Sequence, residues 1–372
     1  MLTRRDLVWS SALLLGPLLA RRSIAGPPSQ DALKVDLVQE FADAQLLAVS
    51  PDGTKLCLRM WKGTTPPRRV VEVGTWRTVC TDRFPQTALE AGFFADGQAL
   101  FFGFAGGAGQ LEHRQAVVDI RTGERTERMH PYDPFNYHEE MSPIDDRTLL
   151  VVHYAFRVRA PWRMEWLARL EFPSYRDLMR VTLPAERADP KPDVGLMLSH
   201  DRRFALYFFD DALICRRTED LEVLWTHPID AELRPFPLAV SAHGDYMAAT
   251  VNKGTREGRF ERDTPLYISV YQGKDGAEVA RLLLNGKWGI ALSPDGKLIA
   301  VIAREPGKKG EILPTIHIHE VSSGRRLTSI IHDRIRKGRR QFLEAGCGAA
   351  FTSDGKYLIT SGMVTKVWTI GA

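Results

Sequence analysis

One short line recurs along this chain: an apolar run, Ser-Pro-Asp-Gly, and a second apolar run. It reads VSPDGTKLCL at 49–58, LSPDGKLIAVI at 292–302 and, with Ser-Pro replaced by Thr-Ser, FTSDGKYLITSG at 351–362. The chemistry of the line dictates a hairpin. Pro presets φ for the first central turn position, Asp tolerates turn geometry, and Gly accepts a positive φ. The β-type runs on either side supply the two strands.

Aligned on Asp52, with an apolar residue four places later, clear copies fall at Asp96 (FFADGQALFF), Asp295 and Asp354. Weaker copies fall at Asp145 (MSPIDDRTLLVV), Asp201 (LSHDRRFALYFF) and His243 (VSAHGDYMAATV). The steps between these seven turns are 44, 49, 56, 42, 52 and 59 residues. A four-stranded blade of a β-propeller takes roughly 40–50 residues, and loops absorb the excess. Each unit continues into a third strand and a polar turn, as in QAVVDIRTGERTER (115–128), YISVYQGKDGAEVARL (267–282) and TIHIHEVSSGRRLTSI (315–330). The expected unit is therefore a four-stranded antiparallel meander, and the fold class is all-β.

The ends of the chain complete each other. Only 18 residues follow Asp354, enough for KYLITSG and TKVWTIG but not for a fourth strand, while a spare strand, LKVDLVQEF, stands at 33–41. If the spare strand completes the last blade, the ring closes and leaves no open sheet edge there. Seven blades are expected, and the degenerate turns leave six or eight open. A hydrophobic share of 44% and a charged share of 26% suit a soluble globular protein with a sizeable core. The formal net charge of +4 is too small to define a nucleic-acid protein, and none is expected as partner.

The repeats resemble those of WD40-type β-propellers. The resemblance is carried by Ser-Pro-Asp-Gly at 50–53 and 293–296, by Ser353-Asp354-Gly355 and by KVWTI at 366–370, and it covers residues 33–372 as one domain. It departs from that pattern in having no Gly-His pair and no Trp-Asp dipeptide, so the resemblance does not carry over the His–Asp network of such blades. The degenerate turns are also similar to those of exported bacterial propellers of the lactonase or TolB-like kind. A shared propeller implies fold far more than activity.

Residues 1–25 read as a targeting segment and 26–32 as a linker. Arg4 and Arg5 precede an apolar run, Leu7 to Ala20, that is shorter than the roughly 20 residues of a membrane span. Ser23-Ile24-Ala25 offers small residues at a cleavage site. The stretch TRRDLVW resembles the twin-arginine export motif. The expectation is an exported monomer, periplasmic or extracellular, with no transmembrane span once the signal is removed. Export permits disulfides. The register nevertheless separates Cys57 from Cys80 by a whole strand, roughly 10 Å at about 4.8 Å per strand, so buried free thiols are expected.

Strand alternation sorts the connections onto two faces. The Ser-Pro-Asp-Gly turns and the third-to-fourth-strand turns share one. The second-to-third-strand loops and the between-blade loops share the other, and length is concentrated there: 129–143, 251–265, 303–314 and 332–346. Long loops on one end of a rigid scaffold are where binding resides. Basic residues gather in them, notably Arg256, Arg259, Arg304, Lys308, Lys309, Arg336 and Arg339. The acidic-aromatic loop 129–143 adds Tyr132, His138 and Glu139. These ten residues are the expected binding set, for a protein or an anionic glycan.

Catalytic motifs are sparse. There is no G-x-S-x-G, no phosphate loop and no HExxH. No catalytic residue, metal or cofactor is assigned from sequence. His317 and His319 alternate on one strand, so both face one side of their blade, where they are expected to pack between blades with satisfied hydrogen bonds. Two readings follow: a non-catalytic exported propeller acting as a protein- or glycan-binding scaffold through its long-loop face, and an exported propeller enzyme, a lactonase-like hydrolase or a quinoprotein-type oxidoreductase.

Overall fold

The computed structural model describes residues 33–371, except 62–66, 83–87, 105–112, 131–136, 146, 158–159, 184–195, 210–211, 231–232, 254–265, 285–288, 307–311, 333–347 and 363. The described residues form 28 strands and no helix. The strands make seven four-stranded antiparallel sheets, which settles the blade count at seven. Six blades are continuous in sequence: 44–82, 88–130, 137–182, 197–228, 233–284 and 289–331. The seventh joins 348–371 to the N-terminal strand Lys34–Phe41.

That strand closes the ring as expected. It pairs antiparallel with Thr365–Gly371, from Lys34 opposite Gly371 to Phe41 opposite Thr365. The first blade is tied to the seventh by Leu46 N donating to Ser361 Oγ at 2.8 Å and Thr365 Oγ1 donating to Ala44 O at 2.8 Å.

Burial explains why the strands read as near-continuous apolar runs rather than alternating ones. Each blade packs on two neighbours, so both faces of its inner strands are buried. In Lys55–Met60, Leu56 and Leu58 face the seventh blade while Cys57 faces the second. Seven apolar seams result, one between each pair of neighbours. Phe93, Phe101, Phe102 and Tyr207 are almost wholly buried in them. Each such ring contributes on the order of 2–3 kcal/mol of transfer free energy.

The recurring line is a clamp. Ser293 Oγ donates to Asp295 Oδ1 (2.7 Å), which also accepts from Lys297 N (3.1 Å), and Leu298 N donates to Ser293 Oγ (2.9 Å). The same bonds recur around Ser50 and Asp52. Gly296 has φ +68°, and a Cβ there would lie 1.9 Å from Tyr246 Cδ2 of the preceding blade. Glycine is thus needed twice over, for backbone sign and for close approach.

Cys57, Val70 and Cys80 lie side by side on successive strands, so a whole strand does separate the two thiols. Cys57, Cys80 and Cys215 are free, and Cys347 lies outside the described residues. Cys80 is only half-buried, since the outermost strand has one neighbour in its sheet. Burial pushes the Cys57 thiol up to about 12, which keeps it protonated and unreactive.

Candidate functional site

The long-loop face is narrower than the sequence suggests, because strands continue through polar residues. The expected loop 129–143 is strand to His130 and strand again from Tyr137. His138 and Glu139 therefore stand on the inner strand of the third blade, opposite Tyr154 and His153. Arg304 likewise stands on Leu298–Pro306, opposite Pro314, not in a loop. The reason is that a ladder is built from backbone groups, which pair whatever side chain they carry. Tyr132, Arg256, Arg259, Lys308, Lys309, Arg336 and Arg339 lie outside the described residues.

Two polar groups missed in the sequence occupy the loop-side ends of the strands. In the first blade Arg59, Arg68 and Asp82 stand directly opposite one another on the second, third and fourth strands. They continue the face that carries Cys57 and Val70 toward the second blade. From that blade Arg125 lies 3.9 Å from Asp82 and also pairs with Glu127. Arg68 is 2% exposed, its guanidinium 5.3 Å from the Phe102 ring, and burial pulls its pKa down. Arg59 lies 5.0 Å over Trp61. Arg59 and Arg68 form a like-charge pair across the sheet, and Asp82 on the other side of Arg68 supplies a countering carboxylate within the row.

The third blade holds a stack. His153 lies flat on Trp166 at 4.4 Å, and the exposed Arg180 sits 4.1 Å from the Trp166 centroid. The cation–π contact fixes the guanidinium in place, and the same group pairs with Asp177 at 2.8 Å.

His317 and His319 are buried on one face of the sixth blade, as their alternation requires. His317 is fully engaged: Nδ1 lies 2.8 Å from Ser329 Oγ and Nε2 3.0 Å from Glu305 Oε1. His319 meets the expectation only in part. Its Nδ1 bonds Gly324 O at 3.1 Å, while its buried Nε2 has no hydrogen-bond partner among the described residues.

On the opposite, turn face, the fourth blade breaks the repeated line with Ser199-His200-Asp201-Arg202. The clamp survives, with Ser199 Oγ donating to Asp201 Oδ1 at 2.6 Å. Arg202 keeps φ +61°, in the left-handed region its siblings fill with Gly. Its Nη2 donates to Phe93 O at 3.3 Å, skipping the third blade to reach the second. In the intervening third blade, Asp145 pairs with Thr148 across the hairpin. His200 Nδ1 is buried with no partner among the described residues, and burial, then Arg202, pushes this imidazole down to about 4. Both residues were visible in the sequence as exceptions to the line.

Sheet count, connectivity and closure define the class: a seven-bladed, four-stranded β-propeller. No protein-family model matches the chain, and no curated protein matches it. Among solved structures, it is similar to the β-propeller domain of Myceliophteria thermophila Cps50 (Swd1). That match has 10% identity and a TM-score of 0.58, covering 91% of this chain and 99% of that one. It is also similar to Kuenenia stuttgartiensis hydrazine synthase, with 16% identity and a TM-score of 0.53 over 92% of this chain and 98% of that one. At these identities the likeness is one of fold.

Proposed function

We propose that this chain is an exported propeller that binds an anionic partner, an acidic protein or an acidic glycan, at its long-loop face. The observation that carries the reading is the net positive row Arg59–Arg68–Asp82 at the loop-side end of the first blade, in which the half-buried Arg59, and not the buried Arg68, is placed to meet a partner. The exposed Arg180 on the third blade adds a further positioned cation, which pairs with Asp177. The basic residues of the adjoining connections, Arg256, Arg259, Lys308, Lys309, Arg336 and Arg339, supply the outer charge. Export is supported by Arg4, Arg5, the apolar run and the small residues at 23–25.

The test is a titration. Protein recovered outside the cytoplasm, expected to begin at Gly26 by intact mass, is mixed with a sulfated polysaccharide and, separately, with poly-glutamate. Binding by at least one is expected to weaken at least tenfold between low salt and about 0.5 M salt, because exposed charges are screened. The combined variant R256E/R259E/R336E/R339E should lose a similar factor with its melting unchanged. Salt-independent binding, or full affinity in the variant, overturns the reading.

A further inference from the structure

The polar line on the sixth blade has the geometry of a reacting group. Ser329, His317 and Glu305 come from three different strands, and their order in space is fixed by register. His317 stands opposite Ser329 on one side and Val301 on the other. Glu305, two alternations beyond Val301 on the same face, reaches back to the ring.

Hydrogen-bond chemistry assigns the tautomer. An ionised carboxylate only accepts, so the Nε2 facing Glu305 carries the proton and donates. Nδ1 is then a bare lone pair, and Ser329 must donate its hydroxyl proton to it at 2.8 Å. This is the arrangement of a general base on a nucleophile, oriented by a third group. Burial pulls the His317 pKa down, so the ring is neutral and able to accept.

Accessibility fits the roles. His317 is 8% exposed, whereas Ser329 is exposed on the outermost strand, Arg326–Ile331. His332 N donates to Pro314 O, which fixes the alternation of the ladder and makes His317–Ser329 a non-hydrogen-bonded pair. Their side chains are therefore close. The N–H of Ser329 points off the open edge of the sheet, beside its own Oγ. Ile331, 52% exposed, lies on the same face two residues on, with Leu313 across the sheet. An uncharged acyl group would find an apolar flank there.

We propose that Ser329 is a nucleophile activated by His317 and that this outer rim of the sixth blade cleaves small uncharged carboxylic esters. Ser329 Oγ attacks the ester carbonyl carbon as its proton passes to His317 Nδ1. The Ser329 N–H donates to the oxyanion. Collapse breaks the carbon–oxygen bond to the alcohol, which leaves with the proton from His317. Water, deprotonated by the same nitrogen, then hydrolyses the acyl-serine and returns the proton to Ser329. Glu305 touches no reacting atom; it positions the ring and stabilises its cationic form. The site is distinct from the anion-binding row, so either proposal stands if the other fails.

The experiment uses the full chain with a fluorophosphonate probe and an acetate ester. One probe per chain is expected, located on Ser329 by peptide mass, and ester turnover should run at least 100-fold above Ser329→Ala. That variant changes an exposed side chain and should melt normally. His317→Gln, with its melting read alongside, should slow labelling at least tenfold. No labelling, labelling at another residue, or turnover equal in Ser329→Ala overturns the proposal.

Discussion

Removing residues 33–41 is expected to lower the melting midpoint by on the order of 10 °C and to drive the protein into aggregates. The strand supplies the outer ladder of the seventh blade through seven register pairs along Thr365–Gly371. Leu33 and Val35 pack on the cluster that includes Trp368 and Leu358. Phe41 joins the seam to the first blade and lies 6.3 Å edge-on to Trp76. Lys366 pairs with Glu40 at 3.6 Å. Deletion removes those contacts and exposes Thr365–Gly371 as an unpaired edge. Differential scanning calorimetry with light scattering reads both effects, and an excess of the free peptide LKVDLVQEF should partly restore the melt. A truncated chain that melts like the full one would mean the ring does not depend on this strand.

The second large effect is a loss of stability on mild acidification, with its source at His200. The unfolded imidazole titrates near 6.5, and the folded one is pushed down to about 4 by burial and by Arg202. Between those values the unfolded chain binds a proton that the native chain does not. Stability is therefore undiminished above pH 6.5 and falls as pH drops toward 4, by about 3 kcal/mol for this group. His317 and His319 are also pulled down by burial and add loss of the same sign. His200→Pro restores the residue of the first and sixth blades, and it should flatten the pH 4–6.5 slope of denaturant midpoints without abolishing it. An unchanged slope in that variant would contradict the assignment.

The fold was legible because its punctuation is chemical. Ser-Pro-Asp-Gly makes the same side-chain clamp wherever it stands, so even VSAHGDY at 240–246 keeps its place in the count. Closure was legible because one end lacked a strand that the other could spare. Strand ends were not. Arg304 and His138 look like loop residues by polarity, yet their backbones complete ladders.

The polar sites were hidden for a different reason. Ser329, His317 and Glu305 are each 12 residues from the next, and only register, including the bulge between Ile318 and His319, brings them together. The row Arg59–Arg68–Asp82 likewise needs three strands in register. Arg202 and His200 carried a readable signal, since a repeat that loses both its Pro and its Gly has exchanged turn chemistry for side chains. A non-Gly residue at φ +61° carries a backbone cost of about 1 kcal/mol or more, which the bond to Phe93 O helps offset.

The central claim is that partners meet the face of the long loops and not the face of the repeated turns. Hydrogen exchange with and without bound sulfated polysaccharide or poly-glutamate tests it directly. Slowed exchange is expected at the loop-side strand ends around Arg59 and Arg68, around Arg304 and Ile312, and in 333–347, with the turns at 50–54, 293–297 and 352–356 unchanged. Protection confined to those turns would contradict the account.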